Sequence, residues 1–182
     1  MLKFKQVHKN YKKKLNVLKN VSFEIERNEM IFLTGHSGAG KTTLLKLLSL
    51  EISPSKGEVM FDDKNLNKLS RRAKSLYRQR IGIIHQSPIF LEELSVLENV
   101  TLPLKILGVS HKERVYRGEE FLDTVGLLDK ITVKPNELST GQRQRLALAR
   151  GIITKPKFII ADEPTGNLDA KLSLEIINLF VK

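Results

Sequence analysis

Residues 30–48 read MIFLTGHSGAGKTTLLKLL. The first four residues of this stretch are apolar, which predicts a short buried strand at residues 30–33. Gly35, Gly38 and Gly40 follow within six residues, and apolar residues then recur at helical spacing. The stretch therefore predicts a strand, a glycine-rich loop and a helix that begins at Lys41, in that order.

The glycine-rich loop, residues 35–42, has the composition of a phosphate-binding loop. Glycine lets the backbone turn so that successive N–H groups point at one anion, and the start of the helix adds the positive end of its dipole. Lys41 would supply a point charge for the β- and γ-phosphates, and the Thr42 hydroxyl would bind Mg²⁺. The alternative is an ordinary glycine turn, and the flanking strand and helix argue against it.

Length and composition limit the class of protein. The chain has 182 residues, enough for one domain with a core. It contains no cysteine, which excludes disulfide bonds and thiolate metal sites. No apolar run approaches about 18 residues, and the basic N-terminus lacks the apolar stretch of a signal peptide. We therefore expect a cytoplasmic globular protein.

The chain carries a formal net charge of +11, with basic residues clustered at positions 12–14 and 71–80. Such an excess suits an anionic membrane surface or a nucleic acid. A solvated lysine-rich surface is the plainer alternative, and composition leaves these interpretations open. There is no tryptophan and there are only three tyrosines, so the sequence offers no base-stacking platform and no nucleic acid is expected.

The N-terminal region predicts β structure. Strands are expected at residues 2–8, 18–25 and 58–61, with a hairpin turn or a loop at residues 62–65. A basic loop is expected between the first two strands, and Tyr11 is predicted to lie in it. Tyr11 could stack on a nucleotide base or be an ordinary surface tyrosine.

Helical patterns dominate the middle of the chain. A basic helix is expected at residues 70–79 and a short strand at residues 81–84, with Gln86 just past its end. Ligands of open α/β sheets gather beyond such strand ends, so Gln86 could reach a metal or water, or have no role. Residues 94–133 predict an inserted helical block, interrupted at Pro103 and Gly108.

Two further motifs follow the helical block. Ser139 is a good N-cap for a helix, with Gln142 at the capping-box position, and this helix start is also a possible anion site. An apolar strand at residues 157–161 then ends in Asp162 and Glu163. One carboxylate suits Mg²⁺ and the other suits the activation of a water molecule. A helix is expected to begin at Leu172.

These motifs occur together in one order: residues 35–42, Gln86, residues 138–142, residues 158–163 and residues 167–169. With this combination the chain resembles, over essentially its whole length, the ATP-binding subunit of an ABC transporter. The resemblance implies an α/β fold with a P-loop NTPase core, an N-terminal antiparallel β subdomain and an inserted α-helical subdomain. It implies a single domain, with the core and β subdomain at about 1–92 and 134–182 and the helical subdomain at about 93–133.

The resemblance also implies roles for individual residues. Tyr11 would stack on adenine, Ser139 would act on the γ-phosphate of ATP held by a second subunit, and Asp169 would lie at the dimer interface. Glu163 would be the general base, and Gln86 a second catalytic residue that couples to the membrane partner. The implied ATP contacts are Tyr11, Gly35, His36, Ser37, Gly38, Ala39, Gly40, Lys41, Thr42, Thr43, Ser139, Gly141 and Asp169. The implied Mg²⁺ ligands are Thr42, Gln86 and Asp162.

Within the family, residues 162–169, DEPTGNLD, are typical of the branch that contains FtsE, LolD and MacB. Residues 125–130 and 172–180 favour the FtsE type, which pairs with the membrane protein FtsX in cell division. The expected partners are a second copy of the chain, in an ATP-sandwich homodimer, and an FtsX-like membrane subunit at the cytoplasmic face of the inner membrane.

Three alternatives remain open on the sequence. One is a LolD- or MacB-like ATPase of lipoprotein release or export. Another is an ATP-dependent binding module with little turnover. A third, a cassette that acts on nucleic acid or ribosomes, fits poorly because there is only one P-loop and the helical block is short.

Two departures from the family pattern affect these expectations. Residues 138–142 correspond to the signature motif of the family, in which Thr140 stands where glycine is usual. The Cβ of Thr140 crowds a loop that must approach a phosphate. The four histidines all precede Glu163, so the chain ends before the family's switch histidine. The sequence therefore resembles a truncated ATPase, and we expect it to bind ATP and to turn it over weakly.

Overall fold

The computed structural model describes residues 1–11 and 15–164 of the chain. The chain forms two compact units, Met1–Arg78 and a second unit that begins at Gln79. In the described part of the chain, no helix has the length and apolar character needed to cross a membrane. The predicted helix at Leu172 and the predicted interface residue Asp169 lie outside the described residues.

The first unit contains a four-stranded antiparallel sheet in the order β2-β1-β3-β4. Its strands are β1 (Leu2–Tyr11), β2 (Leu15–Ile25), β3 (Lys56–Phe61) and β4 (Lys64–Asn65). The side chains of Leu2 and Phe4 alternate toward the core, and an irregularity in the pairing between Phe4 and Val7 lets Val7 be buried as well. The three predicted strands and the antiparallel subdomain are confirmed, and each strand is longer than predicted.

Two helices complete this unit, as predicted. They are α1 (Lys41–Leu48) and α2 (Arg71–Arg78). The Tyr77 hydroxyl of α2 donates a 2.7 Å hydrogen bond to the carbonyl of Leu48 at the end of α1. The Tyr77 ring also meets Phe61 of β3 edge to face, with 5.3 Å between the ring centroids. Tyr77 thus ties α2 to both α1 and the sheet.

The predicted buried strand at residues 30–33 is not found. Met30, Ile31, Phe32 and Leu33 belong to no strand, and their side chains are 38% to 69% exposed. A buried strand requires a neighbouring strand to pair with its backbone, and no described residue forms a ladder with this segment. An apolar run predicts that a segment can be buried, but it does not supply the pairing partner.

The second unit contains two parallel strands, β5 (Ile81–Ile84) and β6 (Phe158–Ala161). They pair in register from Ile81 opposite Phe158 to Ile84 opposite Ala161, as the predicted strands at residues 81–84 and 157–161 anticipated. A Cβ on Gly82 would lie 2.3 Å from the carbonyl oxygen of Gly151. Glycine at position 82 therefore permits the close approach of this strand to the helix that contains Gly151.

The predicted helical block is present. Its helices are α3 (Val96–Ile106) and α4 (His111–Thr124), followed by α5 (Thr140–Ile152). Short 3₁₀ turns lie at Leu66–Lys68 in the first unit and at Leu128–Lys130 and Pro135–Glu137 in the second. One apolar core joins the three helices through fully buried residues such as Val100, Leu122 and Leu146.

The predicted interruption of the helix at Pro103 is wrong, whereas the one at Gly108 is confirmed. Pro103 lies inside α3, and its carbonyl accepts a 3.1 Å hydrogen bond from the N–H of Leu107. Proline removes one backbone donor, and the burial of neighbours such as Val100 and Leu104 outweighs that loss. Gly108 has φ 77° and follows the end of α3, a backbone conformation that glycine adopts readily.

Candidate functional site

The glycine-rich loop leads directly into α1. Gly40 is the N-cap of α1 with φ 97°, and a Cβ at this position would lie 2.9 Å from Leu18 Cδ2. Gly38 has φ 80°. These left-handed conformations explain why glycine stands at both positions. Residues 34–39 are exposed to solvent. The loop therefore has the open backbone that the sequence predicted for an anion site.

Lys41 carries a positive charge at this loop. Its Nζ donates hydrogen bonds to the carbonyls of Gly35, at 2.6 Å, and His36, at 3.1 Å. The first turn of α1 contains no acidic residue that would neutralise this charge. Thr42 is exposed and Thr43 is buried. The ammonium group and the helix start are thus adjacent, an arrangement that favours phosphate.

Tyr11 does not lie in a loop, contrary to the prediction. It is the last residue of β1 and pairs with Leu15, because strand pairing extends further toward the basic residues than the sequence pattern indicated. Its ring is 37% exposed, and Lys9 Nζ lies 5.3 Å from the ring centroid. The expected stacking on adenine stays a prediction.

The second unit brings the predicted catalytic residues together. Because β5 and β6 are parallel neighbours, their carboxyl ends meet at the same edge, and the Asp162 N–H donates a 2.9 Å hydrogen bond to the carbonyl of Ile84. Beyond these ends, Gln86 Nε2 donates a 2.6 Å hydrogen bond to Glu163 Oε2. Glu163 has φ 48°, so the backbone turns sharply at this carboxylate.

A cavity opens at this edge of the second unit. Its lining residues are His85, Gln86, Ser87, Ile89, Arg150 and Asp162. Among the described residues there is no cluster of three His, Cys, Asp or Glu side chains that could bind a metal. Mg²⁺ is commonly bound by one or two carboxylates together with substrate phosphates, so the oxygen atoms of Asp162 and Gln86 fit it without such a cluster.

The predicted capping box at the start of α5 is confirmed. Ser139 Oγ accepts a 3.3 Å hydrogen bond from the Gln142 N–H, and Gln142 Oε1 accepts a 2.9 Å bond from the Ser139 N–H. Ser139 and Thr140 are exposed, and Gly141 lies in the first turn. The hydroxyl therefore supports the helix start, and its expected contact with a phosphate of a second subunit stays a prediction.

One cluster at this site was missed in the sequence. Phe90, which is 5% exposed, packs its ring against two guanidinium groups of α5. The Cζ atoms of Arg143 and Arg150 are 5.1 Å and 4.5 Å from the ring centroid. The spacing of seven residues between the arginines, which puts them on one face of a helix, was the available signal. The sequence around Phe90 contained no signal that predicted its part in the cluster.

Comparisons with known proteins agree with these features. Residues 18–166 match the family described as ABC transporter. The chain is 43% identical to the cell division ATP-binding protein FtsE of Escherichia coli strain K12, over 180 residues that cover 99% of this chain and 81% of FtsE. It is 44% identical to an uncharacterized ABC transporter ATP-binding protein of Thermotoga maritima, over 170 residues that cover 93% of this chain and 73% of that protein.

A solved structure is also similar. It is the dimer of an ATP-binding cassette in a post-hydrolysis state, bound to ADP and phosphate. Its TM-score to this chain is 0.92 at 37% sequence identity, and the match covers 98% of this chain and 81% of that one. The similarity thus extends over almost the whole length of this chain.

Proposed function

The chain belongs to the ABC transporter family as an ATP-binding, ATP-hydrolysing subunit, and we propose that it is an FtsE-like subunit that couples ATP-driven dimerisation to an FtsX-like membrane partner. The structural observation behind the proposal is the hydrogen bond between Gln86 and Glu163. It joins the residue that we expect to respond to the partner with the residue that we expect to activate water.

ATP would be bound first through its phosphates. The loop at residues 35–42, the Lys41 ammonium group and the start of α1 offer backbone N–H donors and positive charge to one anion. Lys41 would exchange the carbonyls of Gly35 and His36 for phosphate oxygens, a change that needs only rotation of its side chain. Tyr11 would stack on the adenine ring with its exposed face.

Hydrolysis would then use the carboxylates beyond β6. Water attacks the γ-phosphorus and loses a proton to Glu163, and the bond to the ADP oxygen breaks to release ADP and phosphate. Gln86 would hold Glu163 in place through their hydrogen bond. Asp162 and Gln86 would hold Mg²⁺, which supplies charge neutralisation to the phosphate oxygens when bound. The expected role of Thr42 as a further ligand stays a prediction.

A second copy of the chain would complete the reaction. Ser139 and Gly141, at the start of α5, offer a hydroxyl and backbone N–H groups to a phosphate. We expect them to contact the γ-phosphate of ATP held by the other copy, with Asp169 at the same interface. The similarity to a dimeric cassette bound to ADP and phosphate supports this arrangement.

The membrane partner and the role in cell division are inferred from the FtsE relatives. The subunit would act at the cytoplasmic face of the inner membrane. A LolD- or MacB-like function would use the same chemistry with a different partner. A binding module with little turnover would retain nucleotide affinity and lose most of the hydrolysis.

Steady-state phosphate release separates these possibilities. The chain should be assayed alone and with an FtsX-type protein in liposomes, with Glu163→Gln as the inactive control. Stimulation by the FtsX-type protein, and none by a LolD-type membrane partner, is the expected result. Stimulation by the LolD-type partner alone would reassign the chain to lipoprotein release. ATP binding with no phosphate release in any sample would indicate a binding module.

A further inference from the structure

The loop that follows Gln86 is held at several points along its length. It runs from β5 to α3 without regular secondary structure. Asn99, a buried residue of α3, accepts a 3.0 Å hydrogen bond from the Leu91 N–H and donates a 2.9 Å bond to the Leu91 carbonyl. These bonds fix the distal part of the loop to α3. The part nearer to Gln86 must be held by another element.

That element is α5. Arg150 donates a 2.8 Å hydrogen bond from Nη2 to the carbonyl of Ile89, and its guanidinium stacks on the Phe90 ring. No ion pair involving Arg150 is found among the described residues. Burial removes its guanidinium from water and lowers its pKa, so the ring and the carbonyl are the groups that compensate the charge.

Arg143, also on α5, makes similar contacts further along the same loop. It donates a 2.9 Å hydrogen bond to Glu92 and a 2.8 Å bond to the carbonyl of Pro135, and its Cζ lies 5.1 Å from the centroid of the Phe90 ring. Its partners therefore lie both in the loop and in the segment that leads to Ser139. The two arginines and Phe90 connect the loop that contains Gln86 to α5, the helix that begins at Thr140.

We propose that Arg150 is a positioning residue for Gln86: through the Ile89 carbonyl and the Phe90 ring, it holds the loop so that the Gln86 amide reaches Glu163. Only two residues lie between Gln86 and Ile89, so a shift of the Ile89 carbonyl moves Gln86 with it. The same contacts make the position of Gln86 depend on the position of α5. This inference rests on the proposed role of Gln86 in hydrolysis.

Arg150→Met tests the inference because methionine keeps the apolar stem of the side chain and removes the guanidinium. We expect kcat for ATP hydrolysis to fall about tenfold, since a misplaced catalytic group loses rate steeply with distance. We expect KM for ATP to change by less than about twofold, because the phosphate-binding loop is not altered. Arg150→Lys should recover little, because a lysine cannot stack its charge on the ring and reach the carbonyl in the same geometry.

Arg145→Met is the matched control on the same helix. Arg145 donates hydrogen bonds to the carbonyls of Val125 and Gly126, away from the loop of Gln86. This variant should lower the thermal midpoint without the selective loss of kcat. Equal kcat values for Arg145→Met and Arg150→Met would mean that Arg150 only stabilises α5, and would overturn the inference.

A double-mutant cycle distinguishes this inference from the proposed function. If Arg150 acts through Gln86, then the double variant Gln86→Ala, Arg150→Met should have nearly the kcat of Gln86→Ala alone. A double variant whose loss is the product of the two single losses would overturn the inference. If Gln86→Ala leaves kcat unchanged, the proposed role of Gln86 is wrong, and the inference is overturned with it.

A variant of Phe90 keeps the test decisive if Arg150→Met does not fold. The chain has no tryptophan, so Phe90→Trp introduces its only indole ring beside the two arginines. This variant should retain kcat within about threefold, whereas Phe90→Leu, which keeps apolar volume and loses the aromatic face, should lose about tenfold. Equal activity of both Phe90 variants would contradict the role of the stacked ring.

Discussion

Gln86 and Glu163, which are 77 residues apart in the sequence, are joined by a 2.6 Å hydrogen bond from the Gln86 amide to the Glu163 carboxylate. The bond forms because β5 and β6 pair in parallel and end at the same edge. Each residue lies two positions beyond the last pair of the ladder, Ile84 and Ala161. The register of two short strands therefore determines the distance between the two predicted catalytic groups.

Glu163→Gln should abolish most hydrolysis while ATP binding persists. The glutamine retains the size of the side chain but is a poor proton acceptor, so we expect phosphate release to fall by about a hundredfold or more. Because bound ATP is then not hydrolysed, the ATP-bound dimer should accumulate. Analytical ultracentrifugation with saturating ATP and Mg²⁺ would detect it. A monomer under these conditions would argue against the expected action of Ser139 on a second subunit.

Lys41→Ala should weaken ATP binding and leave the fold intact. Within the described part of the chain, the Lys41 ammonium group donates hydrogen bonds to the loop carbonyls of Gly35 and His36. Both residues are exposed, so the removal of Lys41 leaves no buried partner unpaired there. We expect the ATP affinity measured by calorimetry to fall at least about tenfold, the effect of losing one charged contact. Lys46→Ala, which removes an exposed lysine from the same helix, is the control and should bind ATP normally. Equal affinities in both variants would refute the assignment of the loop.

Gly40→Ala should be more harmful than the same change at another left-handed glycine. Gly40 has φ 97° and Gly108 has φ 77°, so each substitution strains the backbone by roughly 1–2 kcal/mol. Only at Gly40 would the added Cβ also meet a side chain, that of Leu18 at 2.9 Å, whereas nothing lies within 4 Å at Gly108. We expect both variants to lose thermal stability and only Gly40→Ala to lose ATP affinity. Normal ATP binding by Gly40→Ala would show that the loop tolerates a different backbone.

Much of this architecture could be predicted because it depends on local patterns. Alternating apolar residues predicted the sheet of the first unit, and the Asp62-Asp63 turn predicted the β3–β4 hairpin. Both aspartates have positive φ, which short polar side chains tolerate in such turns. Ser139 and Gln142 predicted the start of α5 through the capping box.

The remaining features depend on contacts that are distant in the sequence. The apolar run at residues 30–33 predicted burial, but no local pattern determines which strand would pair with it. Pro103 predicted a break in the helix, and packing in the helical core overrode that local preference. The contacts of the Phe90 ring with Arg143 and Arg150 require a loop and a helix that are more than 50 residues apart in the sequence. The domain boundaries and the individual site roles stay predictions.

Tyr77→Phe should reveal how one buried hydroxyl links stability to pH. The variant retains the ring and its edge-to-face contact with Phe61, and it loses the hydrogen bond to the Leu48 carbonyl. At pH 7 we expect the free energy of unfolding to fall by about 1 kcal/mol. Burial raises the pKa of Tyr77 above its ordinary value of 10.0, because the phenolate would be removed from water.

The sign of the pH dependence follows from this raised pKa. Above pH 10 the unfolded chain releases the Tyr77 proton while the folded chain retains it, so the wild-type protein loses stability as the pH rises, by up to about 1.4 kcal/mol per pH unit. The Tyr77→Phe variant has no such proton, so its stability does not show this part of the decline with rising pH. Urea unfolding of both proteins from pH 7 to pH 11 should therefore show the wild-type advantage shrinking and then reversing above pH 10. A difference that stays constant over this range would mean that the Tyr77 hydroxyl ionises equally well in the folded and unfolded chains.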